Sequence, residues 1–180
     1  LEKEGAKTDV PEAEFEKVSR QIGYAAVKYA DLHQNRETDY KFSYDKMLQS
    51  TGDTAVYLLY THARIASILR KAKDEKGVDT DKVGTFPVSL DDPSEVLLAS
   101  EIMKLPEALE MAIDEMKPSH MTKFLYDTCQ SFSNFYTQCK VLHTSVPDDV
   151  RDSRLVLVAA CGAALRKGFA VLGIDPLYRI

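Results

Sequence analysis

The sequence predicts an all-α fold, a bundle of about five main helices with short ones between them. Three observations point there. Apolar residues recur at three- and four-residue steps along most of the 180 residues, the spacing that gives a helix one apolar side. Prolines and small polar residues stand where these runs begin, and glycines stand where several of them stop. There is no β-hairpin signal and no fixed-period repeat.

The first helix opens at Pro11 and the acids after it, with Phe15, Val18, Ile22, Ala25, Ala26, Tyr29 and Leu32 on its apolar side, and should end between Asp31 and Asn35. Residues 36–43 alternate polar and aromatic side chains and read as extended or irregular. Ser43 can cap a short turn that carries Tyr44 to Leu48. Gly52 then breaks the chain and Thr54 is positioned to cap a long helix to about Lys73. That helix is apolar on more than one side (Ala55, Val56, Leu58, Leu59, Ile65, Ile68), so it should be mostly buried. Lys71 and Lys73 suit its negative end.

Residues 74–92 form a polar connection containing Gly77, Gly84 and Pro87. Pro93 suits the first turn of a helix to about Lys104, and Pro106 starts another through Met116. Pro118 and Ser119 open a long helix bearing Met121, Phe124, Leu125, Thr128, Phe132, Phe135, Tyr136 and Cys139. Pro147 and Asp148 open the last, and Gly173 followed by Pro176 closes it. Its small residues Ala159, Ala160, Gly162, Ala163 and Ala164 should let a neighbouring helix approach closely.

Composition limits the function. With 44% hydrophobic and 28% charged residues the chain is globular. Its three cysteines, Cys129, Cys139 and Cys161, include no C-x-x-C pair, which argues against a disulfide framework and a zinc site and for buried thiols in a reducing compartment. The four histidines lack ligand spacing, and no phosphate-loop, dinucleotide, zinc-protease or nucleophile-elbow motif occurs. No catalytic constellation is visible. A net charge of −5 disfavours nucleic-acid binding, but the charge is uneven: residues 86–120 are acidic and residues 151–180 are locally basic. The chain begins at Leu1 in a polar stretch, has no signal peptide and no apolar run long enough to span a membrane, and reads as a piece of a longer protein.

The stretch with most chemical content is Tyr57, Tyr60 and Arg64 in the long helix. Steps of three and four align them on one side. Two rings and a guanidinium can receive unstacked bases and a phosphate. The competing reading is a pair of half-buried core tyrosines with wet hydroxyls, the commoner outcome for such spacing.

Several segments taken together resemble the C-terminal part of arginyl-tRNA synthetases. They are residues 24–32 (YAAVKYADL), Asn35-Arg36, residues 39–47 (DYKFSYDKM), Gly52-Asp53-Thr54, Tyr57 to Tyr60 with Arg64-Ile65, and residues 168–176 (GFAVLGIDP). The resemblance implies a class I ligase that charges its tRNA with arginine using ATP and Mg, with the catalytic domain ahead of this region. The fragment itself would hold no catalytic residue or cofactor and would be inactive alone. Lys46-Met47 superficially echoes a catalytic loop but reads as structural. By the same resemblance, residues 1–48 are the tail of the catalytic body and a linker, and 51–180 are the helical anticodon-binding domain. It carries over as RNA-binding residues Tyr57, Tyr60 and Arg64, Tyr136 on a later helix, Arg179 and Ile180 at the tail, and Asn35 and Arg36 in a linker motif. The tail ends Arg179-Ile180 where the family often ends Arg-Met. The implied partners are arginine tRNA, the protein's own catalytic domain and other members of a synthetase complex, in the cytoplasm and with no membrane. Two other readings remain open at this point: a helical protein-interaction module docking through 86–120, and the equivalent domain of a sibling class I synthetase.

Overall fold

A computed structural model describes residues 10–179. A 3-10 turn at Glu12–Glu14 leads into α1 (Phe15–Leu32); then come α2 (Tyr44–Met47), α3 (Ala55–Lys76), α4 (Pro93–Ile102), α5 (Leu105–Asp114), α6 (Ser119–Gln138) and α7 (Asp148–Val171). A second 3-10 turn, Val83–Thr85, lies between α3 and α4. Among the described residues there is no strand.

The local chemistry explains where the helices begin and end. Ser43 caps α2, and the Thr54 hydroxyl accepts the Tyr57 N–H at 3.2 Å while donating to the Gln49 carbonyl at 2.7 Å. Asp92 and Glu95 form a reciprocal capping box at the start of α4, with Pro93 in its first turn. α7 stops at Gly173, φ +63°, with the Ile174 N–H on the Phe169 carbonyl at 2.9 Å and the Gly173 N–H on the Ala170 carbonyl at 3.1 Å, the paired bonds of a Schellman end. α3 runs three residues past the expected Lys73. It ends at Gly77, φ +66°, because the first residue able to turn left-handed without a Cβ clash sets the stop.

α3 lies in the middle, packed on α1, α6 and α7, while α4 and α5 pack on α6. Leu58, Leu59 and Ile65 of α3, Leu125, Phe132 and Phe135 of α6 and Leu155, Leu165 and Phe169 of α7 are fully buried, each worth about 1.5–3 kcal/mol of hydrophobic stabilisation. The close approach expected of α7 occurs at its glycines. A Cβ on Gly162 would stand 2.9 Å from Ile65 Cγ2, and one on Gly168 2.6 Å from Leu125 Cδ2. Ala163 faces solvent instead. α1 belongs to the same core: Tyr29 is buried, and its hydroxyl lies 2.5 Å from Asp53 Oδ1 and 3.0 Å from the Thr122 carbonyl. Burial first, then the Asp53 carboxylate, pushes the Tyr29 phenol far up.

The charge pattern read from the sequence is partly consumed inside. Glu95, one of the acids of 86–120, is buried and accepts from Arg154 Nε at 2.7 Å. Arg151 is held by Asp148 at 2.6 Å and Asp152 at 2.8 Å. Two arginines of the basic end therefore serve the fold. The three cysteines are buried and free.

Candidate nucleic-acid interface

Four residues apart on α3, Tyr60 and Arg64 share one side of the helix, and the fold brings Tyr136 of α6 against them. The Arg64 guanidinium carbon lies 4.9 Å from the Tyr60 ring centroid and 5.6 Å from that of Tyr136. Arg64 Nη2 donates to the Tyr60 hydroxyl at 3.2 Å. Tyr136 is stacked on buried Phe132, centroids 6.0 Å apart and planes 16° from parallel, so its ring is fixed from behind. Tyr60 is 42% and Tyr136 41% exposed. Among the described residues no carboxylate pairs with Arg64. Two half-open rings and an unneutralised guanidinium offer π-faces to bases and a cation to a phosphate.

Tyr57 is different. Its hydroxyl lies 2.9 Å from Ser133 Oγ and 3.3 Å from the Cys129 carbonyl, and its ring meets Tyr126 edge-on at 6.0 Å. Burial raises its phenol pKa, with the Ser133 bond acting in the opposite direction. Its hydroxyl thus stitches α3 to α6, and the stripe divides into a half-buried member and an exposed pair.

Asn35 and Arg36 lie in the exposed loop after α1. The Asn35 side chain accepts the Glu37 N–H at 3.1 Å and its carbonyl accepts from Thr38, which shapes a turn. Arg179 is exposed on the rim of an open groove of about 1440 Å³ between α1 and the C-terminal tail. Ile180 lies outside the described residues. His62 carried no recognisable spacing signal. It is fully buried, its Nδ1 is 2.7 Å from the Leu177 carbonyl, and its ring meets Tyr178 edge-on at 5.2 Å. Burial lowers its pKa, opposed by the Leu177 hydrogen bond and aided by Arg166. Two residues from Tyr60 is about 200° around the helix, so the tail and the Tyr60–Arg64 pair occupy different sides of α3.

Residues 58–180 match the DALR anticodon binding domain, and residues 1–44 match the catalytic domain of class I (R) tRNA synthetases. The chain belongs to the DALR anticodon binding domain family. This DALR chain is 41% identical over 174 residues to an arginine–tRNA ligase from Pseudoalteromonas atlantica, covering 97% of the chain and 29% of that protein. It is 42% identical over 168 residues to the chloroplastic/mitochondrial arginine–tRNA ligase of Arabidopsis thaliana, covering 93% and 25%. Two solved structures share its fold: the arginyl-tRNA synthetase of Plasmodium falciparum (TM-score 0.79, 30% identity, 93% of this chain and 28% of that one) and that of Thermus thermophilus (TM-score 0.79, 27% identity, 94% and 28%). The chain therefore spans under a third of the length of these relatives.

Within the DALR match lie Tyr60, Arg64 and Tyr136; Asn35 and Arg36 fall in the catalytic-domain match. Among the described residues no group of three or more His, Cys, Asp or Glu could hold a metal ion. None of the described helices is long and apolar enough to cross a membrane.

Proposed function

We propose that this chain is the tRNA-binding C-terminal portion of an arginine–tRNA ligase and that it recognises the anticodon loop of arginine tRNA. The observation that carries the reading is the Arg64 guanidinium held between the half-exposed rings of Tyr60 and Tyr136. Loop bases stack on Tyr60 and Tyr136, Tyr57 contributes its open ring edge, and Arg64 takes a phosphate or a base edge. Arg179 and Ile180 add contacts at the tail, and Asn35 and Arg36 add contacts from the linker. Residues 1–48 are the end of the catalytic body with its linker, and 51–180 the recognition bundle; the boundary is supported by the loop between α2 and α3. ATP and Mg belong to the catalytic portion of the parent ligase, a reading supported by the match of residues 1–44 to the class I (R) tRNA synthetase catalytic domain. A reducing setting such as the cytoplasm is supported by the three buried free thiols.

The test is filter binding of the full-length protein to arginine tRNA and to an unrelated tRNA across a salt series. Arg64→Ala should weaken binding of arginine tRNA and flatten its salt dependence, since one phosphate contact is lost. Equal binding of both tRNAs, unaffected by Arg64→Ala, overturns the reading.

A second reading rests on Met103, Ile113 and Met116, 78%, 65% and 67% exposed beside the acids of α4 and α5. These exposed apolar side chains and the acids of α5 have the chemistry to receive a basic amphipathic protein segment. Pull-down of such a partner, abolished by neutralising Glu107, Glu110 and Asp114 but indifferent to Arg64→Ala, would favour it.

A further inference from the structure

After Gly173 the chain leaves α7 and runs back between α1 and α3. A tail of this kind has few backbone partners of its own, yet its carbonyls are taken up one after another by side chains. Lys28 Nζ donates to the Gly173 carbonyl. Gln21 Nε2 donates to the Asp175 carbonyl at 3.0 Å and the Pro176 carbonyl at 3.1 Å. His62 closes the series on the Leu177 carbonyl at 2.7 Å. A carbonyl can only accept, so His62 carries its proton on Nδ1. Its Nε2 is buried with no hydrogen-bond partner among the described residues. Leaving a ring nitrogen unpaired in the core is unfavourable, and the Leu177 bond is the one hydrogen bond found for this buried ring among the described residues. Leu177 is buried beneath it, while Tyr178, 54% exposed, rests its ring against His62 and Arg179 follows in solvent.

We infer that Gln21, Lys28 and His62 are positioning residues, a three-point carbonyl clamp that fixes the tail so that Tyr178 and Arg179 form one wall of an RNA-contacting groove. The opposite wall is α1, with Tyr24, 67% exposed, and Lys17. No ion pair of Lys17 or Arg179 is found among the described residues, and each offers a cation that a phosphate could meet. An arginine on an unheld tail would lose conformational entropy on binding; the clamp settles that cost during folding. The inference rests on the tRNA-binding reading above and assigns its tail contact to residues of α1 and α3 that touch no RNA themselves.

The experiment uses the full-length protein with His62→Leu, His62→Asn and Gln21→Leu. Asparagine retains an amide N–H near the place of Nδ1; Gln21 is partly exposed, so its loss leaves the core intact. Hydrogen exchange is followed in a peptide covering residues 170–179, and arginylation is measured against tRNA concentration. His62→Leu and Gln21→Leu should speed exchange in that peptide and raise the KM for tRNA by about threefold to tenfold, the loss of one or two hydrogen bonds. Both should leave kcat within about twofold, and His62→Asn should restore both readouts. Unchanged exchange in Gln21→Leu overturns the clamp. Faster exchange with an unchanged KM overturns the role in RNA contact. In that event a raised KM in Arg64→Ala would show the anticodon reading still standing, so the two failures are distinguishable.

Discussion

Replacing Tyr60 by alanine separates the two roles that a helical tyrosine can play. Its ring is 42% exposed, lies 4.9 Å from the Arg64 guanidinium carbon and accepts one hydrogen bond through its hydroxyl. Removing it forfeits an exposed cation–π contact of about 0.5–1 kcal/mol and the covered part of the ring, roughly a further 1–2 kcal/mol of burial. For a domain of this size the melting temperature should fall by roughly 2–4 °C per kcal/mol, so Tyr60→Ala should lower it by about 3–12 °C. If a loop base stacks on the ring, the loss in binding is about 1–3 kcal/mol, or roughly 5- to 140-fold in Kd. Tyr60→Phe keeps the π-face and should stay within about threefold of wild type, since only one modest hydrogen bond goes. Filter binding of arginine tRNA by the full-length protein, alongside thermal unfolding of the same samples, reads both quantities. A fall in Tm with unchanged tRNA affinity would refute the reasoning and leave Tyr60 a packing residue only.

Other expectations concern what holds the interface in place. Gly168→Ala puts a methyl 2.6 Å from Leu125 Cδ2, so the buried Leu125 side chain must leave its place or α6 and α7 must part; urea unfolding should show a loss of about 1–3 kcal/mol. Arg154→Met leaves the buried Glu95 carboxylate without its 2.7 Å partner and should cost about 3–5 kcal/mol in the same assay, with much of it regained when Glu95→Gln is added. His62 has a pKa lowered below the ordinary imidazole value of 6.5, chiefly by burial. Between that lowered value and 6.5 the unfolded chain binds more protons, so stability rises with pH there. Acidification from pH 7 should therefore remove stability progressively until the folded pKa is passed. His62→Asn should lack this component when Tm is followed against pH.

How much of this was legible beforehand depends on how local the cause is. The caps were readable because Thr54 and Ser43 act within three residues, and the end of α7 because only Gly173 accepts its left-handed turn. The Lys73 estimate fell short because cations favour a helix end without imposing one, whereas Gly77 imposes it. Glu95 counted only as one of the acids of 86–120, because its partner Arg154 lies 59 residues away. The tyrosine stripe was visible as spacing, but spacing says which residues share a side and not which side meets solvent.

The sequence by itself determined the helices, their ends and the alignment of Tyr57, Tyr60 and Arg64, because these follow from backbone geometry and near neighbours along the chain. Only the tertiary structure decided that Tyr57 turns its hydroxyl into α6, that Tyr136 closes on Arg64 at 5.6 Å, and that His62 holds the tail at Leu177. Those contacts join residues between 72 and 115 positions apart. They exist because α3 is packed among α1, α6 and α7, and burial on one side of a helix leaves the other side to whatever the neighbouring helices bring to it.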